Sequence, residues 1–200
     1  IGISITILAV WMAFLAAYGF ARFEFKGKSN LKFWILSQRF FPPIVVAVPF
    51  YLMMAFLRLL DTHIAVILAH LSFNLPLSVW MMEGFIAEIP VELEQSALVD
   101  GCSRLEAIRR IVVPLAIPGI VVTAIFAFIF SWNEFLFALL LTRTTASTVP
   151  LMLGDFSSTR GLEWEHISAL ALLSTIPIAI FAAVVQRHIV KGMTLGAVKG

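Results

Sequence analysis

The run IVVPLAIPGIVVTAIFAFIFSWN, Ile111–Asn133, decides the fold. It is 23 residues long and contains no Asp, Glu, Lys or Arg. A helix needs about 20 apolar residues to cross the hydrocarbon core of a bilayer. Backbone N–H and C=O groups cannot stay unpaired in lipid, so such a run must be helical. Four more stretches have the same character: Ile1–Ala21, Phe40–Leu57, Ile64–Met82 and Ile167–Gln186. Pro42, Pro43 and Pro49 fall in the second span, Pro76 in the third and Pro177 in the fifth. Proline is tolerated in membrane helices that pack against neighbours. Strict alternation of apolar and polar residues, which a membrane β-barrel needs, is absent. The expectation is an all-α, polytopic membrane protein in one unit, residues 1–200.

Composition agrees. The chain of 200 residues is 60% hydrophobic and 13% charged, with a mean hydropathy of +0.98. Soluble domains are closer to half apolar and a quarter charged. The single cysteine, Cys102, excludes an internal disulfide and a cysteine-built zinc site.

Charge in the loops gives the orientation. Eleven of the fourteen Lys and Arg fall in alternate loops: Arg22, Lys26, Lys28, Lys32 and Arg39; Arg104, Arg109 and Arg110; Arg187, Lys191 and Lys199. The intervening loops hold Arg58, Arg143 and Arg160. The richer set is expected on the cytoplasmic side. Ile1 then lies outside, and five spans are expected of an inferred six, with one helix upstream. The basic run at Arg22–Lys32 interleaves with Phe23 and Phe25; a positive-inside anchor accounts for it, so no nucleic-acid partner is expected.

The loop between the third and fourth spans, residues 83–113, is unusual. A short helix is expected from Pro90, with Glu92 and Glu94 at the positive end of its dipole. Asp100-Gly101 stops it, because glycine accepts the left-handed conformation of a helix C-terminus. Ser103-Arg104-Leu105-Glu106 is a capping box that starts a second helix. Pro114 and Pro118 bend the chain into the fourth span. Glu83, Glu88, Glu92, Glu94, Asp100 and Glu106 are half of the twelve acids. They sit at the face where anionic lipid repels them. A protruding polar corner at that face reads as a docking surface for a soluble partner.

The same residues resemble the coupling loop of binding-protein-dependent ABC importer permeases. That pattern runs Glu-Ala-Ala, three residues, Gly, nine residues, Ile-x-Leu-Pro. Here Gln95-Ser96-Ala97 is followed by Gly101 and, after nine residues, by Ile111-Val112-Val113-Pro114. Gln95 stands in place of the glutamate, and Glu94 lies one position earlier. The resemblance implies that Glu94, Gln95, Ser96, Ala97, Asp100, Gly101, Arg104 and Pro114 form the part that docks on a separate cytoplasmic ATPase. ATP and magnesium would then be bound by that ATPase, with no cofactor and no metal on this chain.

A second constellation lies at the end of the fourth span. Counting 16 residues from Pro118 puts Glu134 about 24 Å along a helix, within a core of ~30 Å. A carboxylate at that depth is expected to face a polar interior, the alternative being that it already reaches the outer interface and is merely solvated. With Trp132 and Asn133 it would make a surface for a polyhydroxylated solute, the ring covering C–H groups and the polar atoms taking hydroxyls. Asn74, before Pro76, is a further pathway candidate. The Trp-Asn-Glu-Phe stretch and the ending QRHIVKGMTLGAVKG are similar to carbohydrate-type ABC permeases, nearest to the second permease subunit of maltose-type transporters. That similarity implies uptake of a sugar or sugar alcohol across a bacterial or archaeal cytoplasmic membrane by alternating access. The implied partners are a sister permease subunit, two ABC ATPase subunits and an extracytoplasmic solute-binding protein. An ATP-independent secondary transporter or channel is the alternative. It needs ionisable groups for ion coupling, and it leaves the acidic corner unexplained. No enzyme is expected: nucleophilic triads, phosphate loops and paired carboxylates are missing, and His63 with His70 is a poor metal pair.

Overall fold

A computed structural model describes the backbone of residues 1–155, 157–158, 161–162 and 164–196, and the side chains of residues 1–154 and 164–183. The protein is a bundle of membrane-length helices. Helix α1 is Gly2–Arg22, α2 Lys28–Ser37, α3 Pro43–Phe56, α4 His63–Ala87, α5 Val91–Val99, α6 Arg104–Ala107, α7 Val113–Trp132, α8 Leu136–Leu141, α9 Val149–Asp155 and α10 Trp164–Gly196. Among the described residues the only strands are a two-residue antiparallel pair, Ser157–Ser158 with Gly161–Leu162.

Among the described residues, four helices are long and apolar enough to cross a membrane, and a bent pair makes a fifth. Five spans therefore match the expectation, but the second departs from it. Helix α3 has 14 residues, about 21 Å at 1.5 Å each, too short for the core alone. The rest comes from α2 and the turn Gln38–Phe40, set at 95° to α3. Phe41-Pro42-Pro43 is the cause. A residue before proline avoids helical backbone, and Phe41 is extended at φ −72, ψ 127. Pro43 then starts α3 without needing a donor.

Small residues let α1, α4 and α7 approach closely. Ile5, Ala9, Ala13 and Ala17 lie four apart on α1 and are fully buried, so one stripe of that helix meets the bundle. It packs beside Val79, Met82 and Ile86 of α4 and Ala116 of α7. Ile3, Ile7 and Trp11 on the opposite face are exposed. Gly119 of α7 lies directly against Phe85 of α4: a Cβ there would sit 2.5 Å from the Phe85 Cβ. A second cluster joins α3, α4 and α8 through Ala47, Met54, Ala65, Ala69, Phe137 and Leu141.

At the end of the bundle opposite the 83–113 loop, Asp61 fastens two turns together. Its carboxylate accepts backbone N–H groups of Arg143, Thr144, Thr145 and Ala146. Its own N–H donates to the Leu141 carbonyl at 2.7 Å. The Arg143 N–H first, then those of Thr144, Thr145 and Ala146, hold the Asp61 carboxyl well below the usual carboxylate range.

Candidate functional site

The loop between α4 and α7 is a capped corner. Pro90 has extended backbone and precedes the helical residues, so α5 begins one residue later than expected. At its other end the Cys102 N–H donates to the Ala97 carbonyl at 3.0 Å and the Gly101 N–H to the Leu98 carbonyl at 3.2 Å. Those two bonds are the Schellman closure, and Gly101 supplies the required positive φ of +89°. The capping box is present. The Glu106 N–H donates to Ser103 Oγ at 3.3 Å, and the Ser103 N–H donates to Glu106 Oε2 at 2.8 Å.

The second helix of the corner is not a separate element. Helix α6 runs through a π-helical turn, Ile108–Val112, into α7, and Arg104–Trp132 forms one 29-residue span. Pro114 has no N–H to offer the carbonyl four residues back. The chain takes up that misfit as a widened turn just before it rather than as a bend between two helices.

The loop residues divide by direction. Gln95, Ser96, Asp100, Gly101, Arg104 and Pro114 are exposed, whereas Glu94 and Ala97 are buried. Val99 is 87% exposed and Leu105 74%, so apolar side chains flank the corner at its tip. Glu94 points into the bundle. Arg22 Nε pairs with its Oε1, and Tyr18 Oη donates to its Oε2 at 2.9 Å. The Arg104 guanidinium lies over the Phe23 ring, 5.3 Å from its centre. Neither Arg22 nor Tyr18 is marked by a local pattern; each lies more than 70 residues from Glu94.

The second constellation is arranged differently from its sequence order. Helix α7 ends at Trp132, so Glu134 is not inside a helix. It lies in the break before α8 and caps it, accepting the Phe137 N–H at 2.9 Å and the Ala138 N–H at 3.2 Å. A carboxylate is a natural acceptor for the free donors of a helix start. Trp132, Asn133 and Glu134 diverge, as three consecutive residues at a helix end must. Trp132 Nε1 donates to the Ser174 carbonyl of α10 at 3.1 Å. Asn133 is exposed and donates back to Ile129.

Glu134 instead meets α4. His70, 1% exposed, bridges Ser131 Oγ at 2.9 Å through Nδ1 and Glu134 Oε2 at 3.1 Å through Nε2. Asn74, one turn on, donates to the His70 carbonyl at 3.0 Å, and Ser78 donates to the Asn74 carbonyl at 2.9 Å. His70, Asn74 and Ser78 thus form a polar stripe on an apolar helix, recognisable from their spacing of four. Arg39 also belongs here rather than with the loop cations. Its guanidinium donates to the Phe73 carbonyl at 3.0 Å and lies 4.6 Å from the centre of the Phe130 ring. Phe73 is ten residues into α4, about 15 Å from its start. Together Arg39, Phe73, Asn74, Phe130 and Glu134 line a cavity of about 300 Å³. The side chains of the ending, residues 186–200, lie outside the described residues.

The family described as binding-protein-dependent transport system inner membrane component matches residues 5–195. The trehalose transport system permease protein SugB of Mycobacterium tuberculosis is 41% identical over 203 residues, covering all of this chain and 74% of that protein. The trehalose/maltose transport system permease protein MalG of Thermococcus litoralis is 35% identical, covering 98% of this chain and 71% of the relative. The inward-facing MetNI methionine ABC transporter superposes with a TM-score of 0.71 at 16% identity, covering 96% of this chain and 92% of that one. At that identity the likeness concerns the fold.

Proposed function

Because the chain belongs to the family of inner-membrane components of binding-protein-dependent transport systems, we propose that it is the permease subunit of an ATP-driven importer of a sugar or sugar alcohol. The names of its trehalose- and maltose-transporting relatives support the solute class. A sister permease, two ABC ATPase subunits and a solute-binding protein complete the assembly. Solute crosses by alternating access, with residues 1–200 supplying one transmembrane unit of the permease pair.

The observation that carries this reading is the corner at Gly101. It is rigid, because both of its helix ends are closed by paired hydrogen bonds. It is also unfinished, because Val99 and Leu105 are left exposed at its tip. An apolar tip on a rigid polar arm is what a groove in a soluble partner can grip. Gln95 and Ser96 on the outer face of α5 make the polar contacts with the ATPase. Glu94 does not, since both of its oxygens are engaged within the subunit.

Asn74 and Glu134 border the solute path near the outer half of the bundle, while Trp132, turned toward α10, and the exposed Asn133 stand beside its outer end. His70 and Ser131 keep the Glu134 carboxylate fixed there. A carboxylate, an amide and a guanidinium beside aromatic faces suit hydroxyl groups and C–H faces together.

Cys102 tests the docking role, being half-exposed beside Gly101. A membrane-impermeant maleimide is applied to sealed vesicles of each orientation, with and without the ATPase subunit. Labelling from the cytoplasmic face alone, blocked by the ATPase, is expected. Labelling from outside overturns the orientation. Cytoplasmic labelling that the ATPase leaves untouched favours the secondary transporter.

A further inference from the structure

The corner is joined covalently to the bundle at two places, the Ile89-Pro90 step from α4 and the π-helical turn into α7. An arm held at two points can still rock about the line between them. A third attachment comes from the end of α1. Arg22 pairs with Glu94 Oε1 and donates through its NH2 group to the Ile89 carbonyl at 2.9 Å. Tyr18 Oη takes the other oxygen of Glu94. The two charged side chains are 4% and 7% exposed. Phe23, the residue after α1, lies under the Arg104 guanidinium of α6. The last turn of α1 therefore grips both arms of the corner.

A buried ion pair is a poor device for stability, since apolar residues of the same shape often do as well. Its value lies in direction. A guanidinium is planar and can serve the Glu94 carboxylate and the Ile89 carbonyl at once, which a lysine ammonium on a flexible stem does not reproduce. Those two acceptors flank Pro90, where the chain turns from α4 into α5. The one arginine thus fixes the angle at which the corner leaves the membrane.

We propose that Arg22, oriented with Tyr18 onto Glu94, is a positioning residue that locks the α5–α6 corner to α1, so that loop and helix move as one body. This rests on the coupling role given to the corner above. Its consequence is specific. Force applied at the tip enters the bundle through α1, against which α4 and α7 pack, and not only through the covalent connection into α7. Loosening the lock leaves the ATPase able to dock and hydrolyse ATP but lets the corner rock without moving the helices.

The test uses the whole transporter in proteoliposomes, with sister permease, ATPase and solute-binding protein, and reads uptake per ATP hydrolysed. Wild-type uptake that needs no ATP would sink the functional reading itself, independently of Arg22. With that control in place, Arg22→Met is expected to hydrolyse ATP while uptake per ATP falls at least about tenfold. Arg22→Lys, which keeps the charge, is expected to fall part of the way and decides the matter if the Met variant fails to accumulate. The exchange Arg22→Glu with Glu94→Arg is expected to recover more uptake per ATP than either single change. Unaltered uptake per ATP in Arg22→Met or, failing accumulation, in Arg22→Lys overturns the proposal. So does an equal loss of hydrolysis and uptake, which would mean a merely structural role.

Discussion

Replacing Gly101 separates backbone conformation from bulk at the corner. Its φ is +89°, and a Cβ built there meets nothing within 4 Å. A side chain therefore costs conformational energy and causes no clash. A residue with a Cβ pays roughly 1–2 kcal/mol in the left-handed region, and a β-branched one pays toward the upper end because its χ1 is stiff. The escape is to leave that region, which forfeits the two closing bonds from Gly101 and Cys102, each worth about 1 kcal/mol net. Either way Gly101→Val disfavours the closed corner by about 2 kcal/mol, roughly thirtyfold in population. That is well below the stability of a whole domain, about 5–15 kcal/mol, so the variant should insert and accumulate. Asparagine tolerates positive φ. ATP-dependent uptake at matched protein level is therefore expected to rank Gly, then Asn, then Ala, then Val. Wild-type uptake by Gly101→Val refutes the reasoning. An Asn variant as poor as Val would also refute it, since the site would then be reading size.

Gly119→Ala tests the opposite situation, where space and not φ is limiting. The new methyl would fall 2.5 Å from both Cβ and Cγ of Phe85, and such overpacking costs about 1–3 kcal/mol. The melting temperature of the purified complex should drop, and a Phe85→Leu background should absorb part of the loss; an unchanged melting temperature counts against the close α4–α7 crossing. Glu134→Ala removes the cap of α8 and the partner of His70. A lost cap costs about 0.5–2 kcal/mol, whereas Glu134→Gln keeps an acceptor and should lose less by the same thermal assay; equal losses would assign the effect to charge. Asp61 gives a pH prediction. Its carboxyl is depressed in the folded protein, so the clip's contribution is full above the ordinary carboxylate value of 3.8 and fades only below it. Amide exchange at Thr144 and Thr145 should stay slow down to about pH 4 and quicken in Asp61→Asn at neutral pH; loss of protection between neutral pH and that point would contradict the geometry.

Helix content and number were legible because lipid leaves the backbone few choices. The corner was legible because its signals are local: Asp100-Gly101 and Ser103 with Glu106 act within a few residues, and both closures form as expected. The break at Phe41-Pro42-Pro43 was present in the sequence too. Its apolar surroundings masked it, since a charge-free count cannot distinguish one straight span from two short pieces. The attachment of Glu94 was hidden for another reason. Arg22 lies 72 residues away at the end of a different span, where an arginine satisfies the positive-inside rule whether or not it has a partner. Arg39 failed by the same rule in reverse, counted with the loops although it folds back onto Phe73. Glu134 stands out in the sequence as the one acid beside the fourth span, although it lies past the end of α7 rather than inside it. Its partner, His70, is visible in the sequence only as a poor metal partner of His63, because adjacency across helices is not written in spacing along one.

The π-helical turn at Ile108–Val112 gives the corner slack in its bearing. A helix advances about 100° per residue, and a π turn accommodates one residue more than an α turn in the same rise. The extra residue is absorbed inside the turn, so the helices on either side keep nearly the register of an uninterrupted one. Deleting one residue there would relax the turn to regular α-helix and leave the azimuth of Gly101 around the α7 axis almost unchanged. A second deletion, with no wide turn left to take it up, would swing the tip by more than a quarter of a revolution and part Glu94 from Arg22. In this subunit the bearing of the arm is a quantity separate from its stiffness, and the wide turn between Ala107 and Val113 is the margin that protects it.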